Sequence, residues 1–450
     1  MFKSLRLENF KCYKGPTGDI PLRPLTLIIG PNNAGKSTLI QAILLFKQTL
    51  YDKSNSALVT TGPLVDLGGF YDILYGGHAA TSHTFSIGLT RDEPDEISIR
   101  RNTSSEEKTA VLANNVDVTF GFNSHTQEIN VCACTLKREE EIIIASHKHN
   151  KEWEAKGIAK AAHDKLVLEY RHFFPMLVPK ALKEGRKLDM RGLRGAQVIA
   201  SQLGAHSWVW EILLRALYHV SPVRARLPWS IRIGQGIFEI GSAGENLLQI
   251  LAKKDAVPGK NTNLLGLVDN WISKRFEMLS KLRMKSSDKA GMEQSLIGDE
   301  IKGTKGINLA AMGEGMAQVL PIIAQTEGTN KRECLLIEQP ELHLHPRAQA
   351  DLADLFMENA VQHRQFIIET HSEHLLLRIR RRIAEKKYKH ITPENVAILC
   401  VEKKGGYSKV SELKLNGQGH FENWPKGFFD EAYQEAMAMA IAAGKQKKDA

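Results

Sequence analysis

The order of apolar and polar positions is clearest in the first 50 residues of the chain. The largely apolar run 25–29 (LTLII) predicts a buried strand. A glycine-bounded segment, 30–37 (GPNNAGKS), follows it, and the pattern of residues 38–50 is typical of a helix. Before the run, a strand and a turn are predicted. This end of the chain therefore reads strand, loop, helix.

The middle of the chain changes from alternating to helical patterns. Between about 82 and 147, segments such as HTFSIGLT and VDVTFGF predict short antiparallel strands separated by polar turns. Residues 150–220 are predicted to be helical, including the charged stretch KEWEAKGIAKAAHDK. A further helical region runs from Leu247 to Leu282 with a break at Pro258-Gly259, and the polar, Gly-rich segment 283–306 is predicted to be a loop.

After residue 306 the pattern returns to alternating helices and strands, which favours a parallel sheet and an α/β fold class. The predicted helices are 315–326, 346–361 and 373–386, and the predicted strands are 333–338, 365–370 and 395–402. We expect three parts: an N-terminal lobe with antiparallel strands over 1–147, an inserted helical lobe over 148–305, and a C-terminal lobe over 306–450.

Composition is that of an ordinary soluble globular protein, with 42% apolar and 25% charged residues among 450. No apolar run approaches the ~18 residues of a membrane span, so no membrane partner is expected. The five scattered cysteines indicate a reducing, cytoplasmic setting, and the lone C-x-C at Cys132 and Cys134 lacks the second pair that a zinc site needs. The net charge of +9 permits nucleic acid or an acidic protein as a partner without requiring either.

The segment 30–37 has the residues that a phosphate-binding P-loop, or Walker A motif, requires. Its glycines let the backbone approach a polyphosphate closely, and the loop N–H groups and the helix N-terminus direct partial positive charge at the anion. Lys36 can reach the β- and γ-phosphates, and Ser37 can ligate Mg²⁺. The predicted ATP-binding residues here are Asn32, Asn33, Ala34, Gly35, Lys36, Ser37 and Thr38.

Two further strands end in polar residues suited to the same site. The apolar run 333–338 ends in Glu338, a candidate for the Mg²⁺ shell as in a Walker B motif. The strand 365–370 leads to His371, which could hydrogen-bond the γ-phosphate or the attacking water. Separately, Gly313 and Gly315 open a helix whose N-terminus could bind a phosphate. Taken one at a time, an acid at a strand end, a histidine and a glycine turn are each more often structural.

Together these motifs resemble the RecF/SMC/OLD-type branch of the ABC ATPases. The resemblance rests on the P-loop, the Gly-rich helix start, EQPELHLHP at 338–346, ETHSEH at 369–374 and WPKGFF at 424–429. It is nearest to the stand-alone AAA-type ATPases of bacterial anti-phage defence systems, such as PARIS AriA-like and Septu PtuA-like proteins. The middle of the chain matches only loosely.

The resemblance implies an ABC-type ATPase head that forms head-to-tail dimers with two ATP molecules, each with Mg²⁺, at the interface. Each ATP would meet Lys36, Ser37, Glu338 and His371 of one subunit. The other subunit would supply the helix that carries Gly313, Gly315 and Gln318. Hydrolysis would weaken this contact, which would make ATP a conformational switch.

Two departures from the family pattern predict slow hydrolysis. Gln339 occupies the position where a catalytic carboxylate often follows the Walker B acid, and an amide orients water but accepts a proton poorly. Ala317 replaces the serine that often precedes Gln318. Glu341 either substitutes as the base or only orients its loop.

Two basic clusters could contact nucleic acid, or equally form a solvated face or a docking site for an acidic phage protein. One cluster comprises Arg378, Arg380, Arg381, Arg382, Lys386, Lys387 and Lys389, and the other Arg186, Lys187, Arg191 and Arg194.

The leading functional hypothesis is an ATPase subunit that acts as a switch or sensor and controls a separate nuclease effector in anti-phage defence. About 50 residues follow residue 402, too few for a TOPRIM nuclease domain, and the inserted segment lacks the heptads of an SMC coiled coil. The alternatives are a RecF-like repair ATPase that acts on DNA directly and an ATP-stapled scaffold with little turnover.

Overall fold

The computed structural model describes residues 1–92, 96–100, 107–111, 113–138, 141–147, 152–155, 166–183, 194–234, 239–253, 263–286, 292–330, 332–360 and 364–422. Its centre is a six-stranded sheet in which all neighbouring strands are parallel except the last pair. In spatial order the strands are β14 (Leu217–Val220), β19 (Cys334–Glu338), β20 (Gln365–Glu369), β4 (Leu25–Ile29), β21 (Val396–Lys404) and β22 (Tyr407–Glu412).

Both faces of this central sheet are covered by apolar cores. In β4, Ile28 belongs to one core, whereas Leu27 and Ile29 belong to the other. Alternate side chains of a strand point to opposite faces, so a strand between two cores has to be apolar at nearly every position. This explains why β4 and β19 read as unbroken apolar runs, and it confirms the predicted α/β fold class with a parallel sheet.

A second, antiparallel sheet lies on the core that contains Ile28. It confirms the antiparallel strands predicted between 82 and 147. Its order is β11 (Glu152–Ala155), β10 (Glu141–His147), β9 (Glu128–Arg138), β8 (Asn115–Asn123), β5 (Thr84–Arg91), β1 (Phe2–Phe10) and β2 (Tyr13–Pro16), with β3 (Ile20–Pro21) on β1. Strands β6 (Glu96–Arg100) and β7 (Glu107–Val111) form a separate pair.

Helices flank the central sheet on both faces. Buried residues of the first and fourth helices belong to the core with the antiparallel sheet, and those of the last five helices to the other core. The helices are α1 (Lys36–Tyr51), α2 (Phe70–Ile73), α3 (Lys180–Lys183), α4 (Arg194–Arg215), α5 (Leu247–Leu251), α6 (Leu264–Asn270), α7 (Glu314–Gly328), α8 (Pro346–Asn359) and α9 (Glu373–Ala384), with a π-helical turn at Trp271–Arg275 and 3₁₀ turns at Gly77–Ala79, Leu309–Ala311 and Pro393–Asn395.

The helical prediction for 150–220 is wrong over part of its length. Glu152–Ala155 is strand β11, and β12 (Leu166–Arg171) pairs with β13 (Phe174–Pro179) as a hairpin. Residues 156–165 lie outside the described part of the chain. Pairing of β11 with β10 satisfies its backbone in the sheet, and such tertiary pairing overrides a helix-favouring local composition. The helical prediction is confirmed for α4.

The prediction of a loop over 283–306 is also wrong. β16 (Lys281–Ser286) pairs with β17 (Glu293–Asp299), with β15 (Ile231–Arg232) and β18 (Ile307–Asn308) on the two sides of β17. The consecutive residues 295–299 are buried although their sequence is mixed in polarity. The Pro258-Gly259 break lies outside the described residues, and the three-part domain division stays a prediction.

Candidate nucleotide-binding site

The glycine loop joins β4 to α1, as the sequence predicts. Gly30 has φ 147°, and a Cβ there would lie 2.2 Å from the carbonyl oxygen of Val401. Gly35 has φ 105°, and a Cβ there would lie 2.5 Å from Cys12 Sγ. Both positions therefore require glycine. A side chain would clash with nearby atoms, and the positive φ would strain any other residue. The N-terminus of α1 opens directly beyond them at Lys36.

Neighbouring strands hold the P-loop in place from the outside. The Tyr13 hydroxyl donates to the carbonyl oxygen of Gly35 at 3.0 Å, and Ser408 Oγ donates to that of Ala34 at 2.5 Å. The backbone N–H of Ser408 donates to the carbonyl oxygen of Cys12. These contacts satisfy two carbonyl oxygens of the loop, whose N–H groups suit an anion, although that of Ala34 donates to the carbonyl oxygen of Pro31 at 3.4 Å. Sequence reasoning did not find this support, because it comes from residues close only in three dimensions.

The P-loop borders an open cleft of about 720 Å³. The cleft contains most of the predicted phosphate-binding residues together with residues from the C-terminal part of the chain. Its lining residues are Lys11, Cys12, Asn32, Asn33, Gly35, Lys36, Ser37, Thr38, Gln41, Asp72, Gln339, Glu369 and His371. Sequence reasoning missed Lys11, Cys12, Gln41, Asp72 and Glu369. Ala34, Glu338, Glu341, Gly313, Gly315 and Gln318 were predicted for the site but are not among the lining residues.

Lys36 is the buried cation of the cleft, with 4% of its surface exposed. Its Nζ donates to the carbonyl oxygen of Pro31 at 2.8 Å. Burial lowers the pKa of Lys36, and the charges of Glu369 and Glu341 oppose this. Burial, followed by the charge of Lys36, lowers the pKa of His371. His371 therefore stays neutral near pH 7, and it can donate one hydrogen bond while accepting another.

Glu338 ends β19, and its side chain has a partner outside the cleft. Its Oε1 lies 2.8 Å from Nε2 of His219 on β14, and its backbone carbonyl accepts from Arg224 Nη2 at 2.8 Å. The strand that carries Glu338 is separated from β4 by β20. The candidate metal carboxylate is thus placed near the site but is engaged by a histidine.

Glu369 ends β20, the strand adjacent to the P-loop strand, and it is 3% exposed. Its Oε1 accepts a hydrogen bond from Ser37 Oγ at 3.0 Å. Burial raises the pKa of Glu369 to about 7; the Ser37 hydrogen bond lowers it, and the nearby charge of Glu338 raises it further. The sequence carries a signal for Glu369, because an acid at the end of a buried strand is a candidate site residue, as Glu338 is; only His371, two positions later, was assigned to the site from the sequence.

Glu341 is buried, and both of its carboxylate oxygens are occupied. Thr370 Oγ1 donates to Oε2 at 2.8 Å, and the backbone N–H of His371 donates to Oε1 at 2.6 Å. Burial raises the pKa of Glu341, and these hydrogen bonds oppose the rise. The contacts tie the loop after β19 to the loop after β20, and so they fix the backbone at His371.

Gln339 adopts φ 44° at the end of β19. Its N–H donates to the carbonyl oxygen of Glu369 at 2.8 Å, and its carbonyl accepts from Arg224 Nη1 at 3.1 Å. The same Nη1 donates to Gln318 Oε1 on α7 at 3.1 Å. Arg224 is buried, and burial lowers its pKa to about 10, against the charges of Glu341 and Glu338. The guanidinium thus links the end of β19 to α7 within one chain.

The candidate residues at the N-terminus of α7 are not among the residues that line the cleft. Gly313 is exposed, and a Cβ at the half-buried Gly315 would lie 3.1 Å from the carbonyl oxygen of His343. No side chain caps this helix. The N–H of Met316 donates to the carbonyl oxygen of Gly313 at 3.2 Å, and the first turn of α7 lies at the positive end of the helix dipole, which favours an anion.

The donor set of the cleft fits a nucleotide with Mg²⁺. The loop N–H groups, Lys36 and Ser37 suit phosphate oxygens, and an acidic oxygen beside Ser37 suits a hard cation. In the described ranges no group of three or more His, Cys, Asp or Glu side chains forms a complete metal cage.

Three arginines of the first basic cluster pair with carboxylates, whereas Lys386, Lys387 and Lys389 are exposed. Arg378 and Arg382 pair with Asp354, and Arg381 and Arg382 pair with Glu385. Arg380 lies over the ring of Phe421, 4.7 Å from its centroid. In the second cluster, Arg186, Lys187 and Arg191 lie outside the described residues. No helix within the described ranges has the length and apolar character needed to cross a membrane.

Family comparisons match segments on both sides of this site. Residues 1–182 match the family described as "AAA ATPase domain", and residues 200–378 match "AAA domain, putative AbiEii toxin, Type IV TA system". Residues 391–439 match "Protein of unknown function (DUF3696)". The first match contains the P-loop, and the second contains β19, β20 and α7.

Among curated proteins, the chain is similar to an OLD nuclease of Thermus scotoductus (strain ATCC 700910 / SA-01), with 51% identity over 43 residues. That segment is 10% of this chain and 8% of the relative, so the chain spans less than a tenth of the length of the curated protein that it matches.

Among solved structures, an SMC head bound to the C-winged helix domain of ScpA aligns with a TM-score of 0.45 at 14% identity, over 92% of this chain and 98% of that one. The SMC head domain from Thermotoga maritima aligns with a TM-score of 0.40 at 12% identity, over 92% and 99%. The two AAA matches, each over less than half of the chain, together contain most of the residues that line the cleft.

Proposed function

We propose that this chain is an ABC-type switch ATPase that binds ATP with Mg²⁺ and hydrolyses it slowly. The observation that carries the proposal is the composition of the cleft. Lys36 and Ser37 of the P-loop share it with Gln339 and His371, which come from the other end of the chain. A P-loop alone would indicate only phosphate binding, whereas residues that could orient the attacking water indicate turnover.

Each cleft residue has a role that its contacts support. Lys36 would exchange its bond to the carbonyl of Pro31 for phosphate oxygens. Ser37 would turn its oxygen to Mg²⁺, which neutralises charge on the phosphates when bound. His371, neutral near pH 7, would hydrogen-bond the terminal phosphate or the attacking water, and the Glu341 contact to its backbone holds it in position.

Slow turnover follows from the state of the two candidate bases. Gln339 lines the cleft but carries an amide, so it can orient water and cannot take its proton effectively. Glu341 is a carboxylate, yet both of its oxygens accept hydrogen bonds from the segment after β20. We therefore propose that Glu341 positions His371 and is not the base.

The second half of each ATP site would come from another copy of the chain. Gly313 at the start of α7 is exposed and lies outside the cleft lining. An uncapped helix N-terminus favours an anion. A head-to-tail dimer would bring this N-terminus to the terminal phosphate of its partner, and the nucleotide would then connect the two subunits.

We further propose that the switch serves in bacterial anti-phage defence, in the cytoplasm, by controlling a separate nuclease. The motif resemblance points to defence ATPases, and the two AAA matches and the short OLD nuclease match are consistent with such a setting. The free thiols of Cys12, Cys334 and Cys400 agree with a reducing compartment. A direct role on DNA gains no support from α9, in which Arg378, Arg381 and Arg382 pair with carboxylates and Arg380 lies over the ring of Phe421.

The dimer and the site are tested together by measuring mass in solution against nucleotide. With ATP and Mg²⁺ the protein should form a dimer, which should return to a monomer as ATP is consumed. Lys36→Ala should lose nucleotide binding and the dimer together. Gly313→Asp should keep ATP affinity within about threefold yet fail to dimerise, because the carboxylate would face the partner's phosphate.

Gly313→Asp is a well-matched variant, because aspartate is a favoured N-cap residue and a Cβ at this position has nothing within 4 Å. Normal ATP affinity in Lys36→Ala would overturn the site assignment. An ATP-dependent dimer that Gly313→Asp leaves intact would overturn the composite site.

A further inference from the structure

We propose that Glu369, rather than Glu338, is the carboxylate that holds the Mg²⁺ accompanying ATP in this chain. The inference deepens the proposed function and rests on it. It is drawn from the geometry of the strand ends, where the acid expected from sequence and the acid found beside the P-loop are different residues.

The two acids end different strands, and only one of these strands is next to the P-loop strand β4. Glu338 and Glu369 are directly opposite each other on β19 and β20, and Glu369 is in turn opposite Ile28 on β4. β20 is hydrogen-bonded to β4, and β19 is one strand farther away. Of the two carboxylates, only that of Glu369 lines the cleft.

Glu369 also contacts Ser37, the other candidate metal ligand. Ser37 Oγ lies 3.0 Å from Glu369 Oε1. In a P-loop the hydroxyl at this position is the protein's own ligand to Mg²⁺. A carboxylate within hydrogen-bond distance of that hydroxyl lies where a cation bound to the hydroxyl would find its negative charge.

The second carboxylate oxygen of Glu369, Oε2, is buried and has no hydrogen-bond partner among the described residues. Only 3% of the surface of Glu369 is exposed. A buried acceptor without a partner is costly. Lys36, the nearest cation of the loop, donates to Pro31 instead. A metal ion or one of its bound waters would satisfy this oxygen.

Glu338, in contrast, is already hydrogen-bonded to a residue outside the cleft. Its Oε1 is hydrogen-bonded to His219 Nε2 at 2.8 Å, and its backbone carbonyl is held by Arg224. Freeing Glu338 for a metal would leave His219 without this partner in a buried position. Glu369 Oε2 has no hydrogen bond among the described residues to give up, so binding a metal or its water there would break no such contact.

The test compares Glu369→Gln with Glu338→Gln, using Mn²⁺ as a paramagnetic substitute for Mg²⁺. ATP affinity is measured in EDTA, and the Mn²⁺ affinity of the ATP-loaded protein is measured by electron paramagnetic resonance. Glu369→Gln should bind ATP in EDTA at least as well as wild type, because a negative charge near the phosphates is removed. Its Mn²⁺ affinity should fall tenfold or more, whereas Glu338→Gln should stay within threefold of wild type.

Glu369→Asp serves if the glutamine variant does not fold, because it keeps the charge but withdraws it from Ser37. It should weaken Mn²⁺ binding severalfold while ATP affinity in EDTA is unchanged. Unaltered Mn²⁺ affinity in the Glu369 variants, or a tenfold loss in Glu338→Gln alone, would overturn the inference and leave the ATP site standing. Absence of ATP binding by wild type in EDTA and in Mn²⁺ would overturn the proposed function as well.

Discussion

At the scale of single residues, this site differs from its sequence motif in what each polar side chain is free to do. Glu341 has the chemistry of a base, but its oxygens are occupied by Thr370 and His371. Gln339 has the position of a base but lacks the carboxylate. The residue with the chemistry of a base is therefore occupied, and the residue in the position of a base cannot accept a proton effectively. This is the physical reason for expecting slow ATP hydrolysis.

Restoring a carboxylate at the available position should speed the reaction. Gln339→Glu is expected to raise the steady-state ATP hydrolysis rate about tenfold or more, because a positioned general base typically contributes 10² or more. The rate is measured with saturating ATP and Mg²⁺, with Gln339→Ala as the control that removes the amide without adding a base. A rate that stays the same or falls in Gln339→Glu would place the base elsewhere.

At the scale of elements, the Arg224 guanidinium connects pieces that the chain order keeps apart. It contacts the carbonyls of Glu338 and Gln339 at the end of β19, and the side chain of Gln318 on α7. In the proposed dimer, the first element would border the nucleotide of its own subunit, and the second would face the nucleotide of the partner. A change at one site could therefore move the other through one buried cation.

Arg224→Lys is expected to separate these two events. Lysine keeps the charge but cannot make the three bonds of the planar guanidinium. ATP affinity of the monomer should change less than threefold, while ATP-driven dimerisation should weaken about tenfold, as expected for the loss of roughly 1.5 kcal/mol of charged hydrogen bonding. Both are measured by nucleotide titration and analytical ultracentrifugation.

The matched control is Arg226→Lys, which changes an exposed arginine two positions along the same segment. It should leave both measurements unaltered. Equal losses of nucleotide affinity and dimerisation in Arg224→Lys would mean that the arginine supports only the local fold.

At the scale of the whole molecule, strands of the central sheet contribute side chains to both cores, and the antiparallel sheet belongs to one of them. Helix α4 is packed into the same core as that sheet. His206 on this helix accepts a hydrogen bond at Nδ1 from the backbone N–H of Ala113, which precedes β8. The contact between α4 and the residues before β8 thus includes a hydrogen bond that requires a neutral imidazole.

Acid is expected to weaken this contact. Burial, followed by the charge of Arg91, lowers the pKa of His206 to about 4, whereas an unfolded histidine titrates near 6.5. Between these values the unfolded chain binds more protons, so stability falls as pH falls. The free energy of unfolding should lose about 2 kcal/mol from this residue between pH 7 and pH 5.

Urea unfolding of the wild type and of His206→Gln at both pH values measures this share. Glutamine can accept the same backbone hydrogen bond and does not titrate, so the pH dependence of the variant should be smaller by that amount. An identical pH dependence in the two proteins would remove His206 from the account.

The amino-acid sequence by itself determined the parts of this protein in which one local pattern decides the structure. The Gly30 to Ser37 loop, the apolar strands β4, β19 and β20, and the helices that follow them are specified by residue types at fixed spacing. Buried parallel strands have to be apolar on both faces, and glycine is required where a Cβ would clash. The α/β class and the phosphate cleft were therefore predictable.

Tertiary structure alone decided which strand end delivers which side chain. Residues 152–155, 281–286 and 293–299 became strands because neighbouring strands paired with them, which no local pattern reveals. Likewise, only the strand order places Glu369 beside Ser37, and Glu338 with His219. Spacing along a chain lists the available chemistry, but hydrogen-bond partners from distant segments decide which groups remain free to use it.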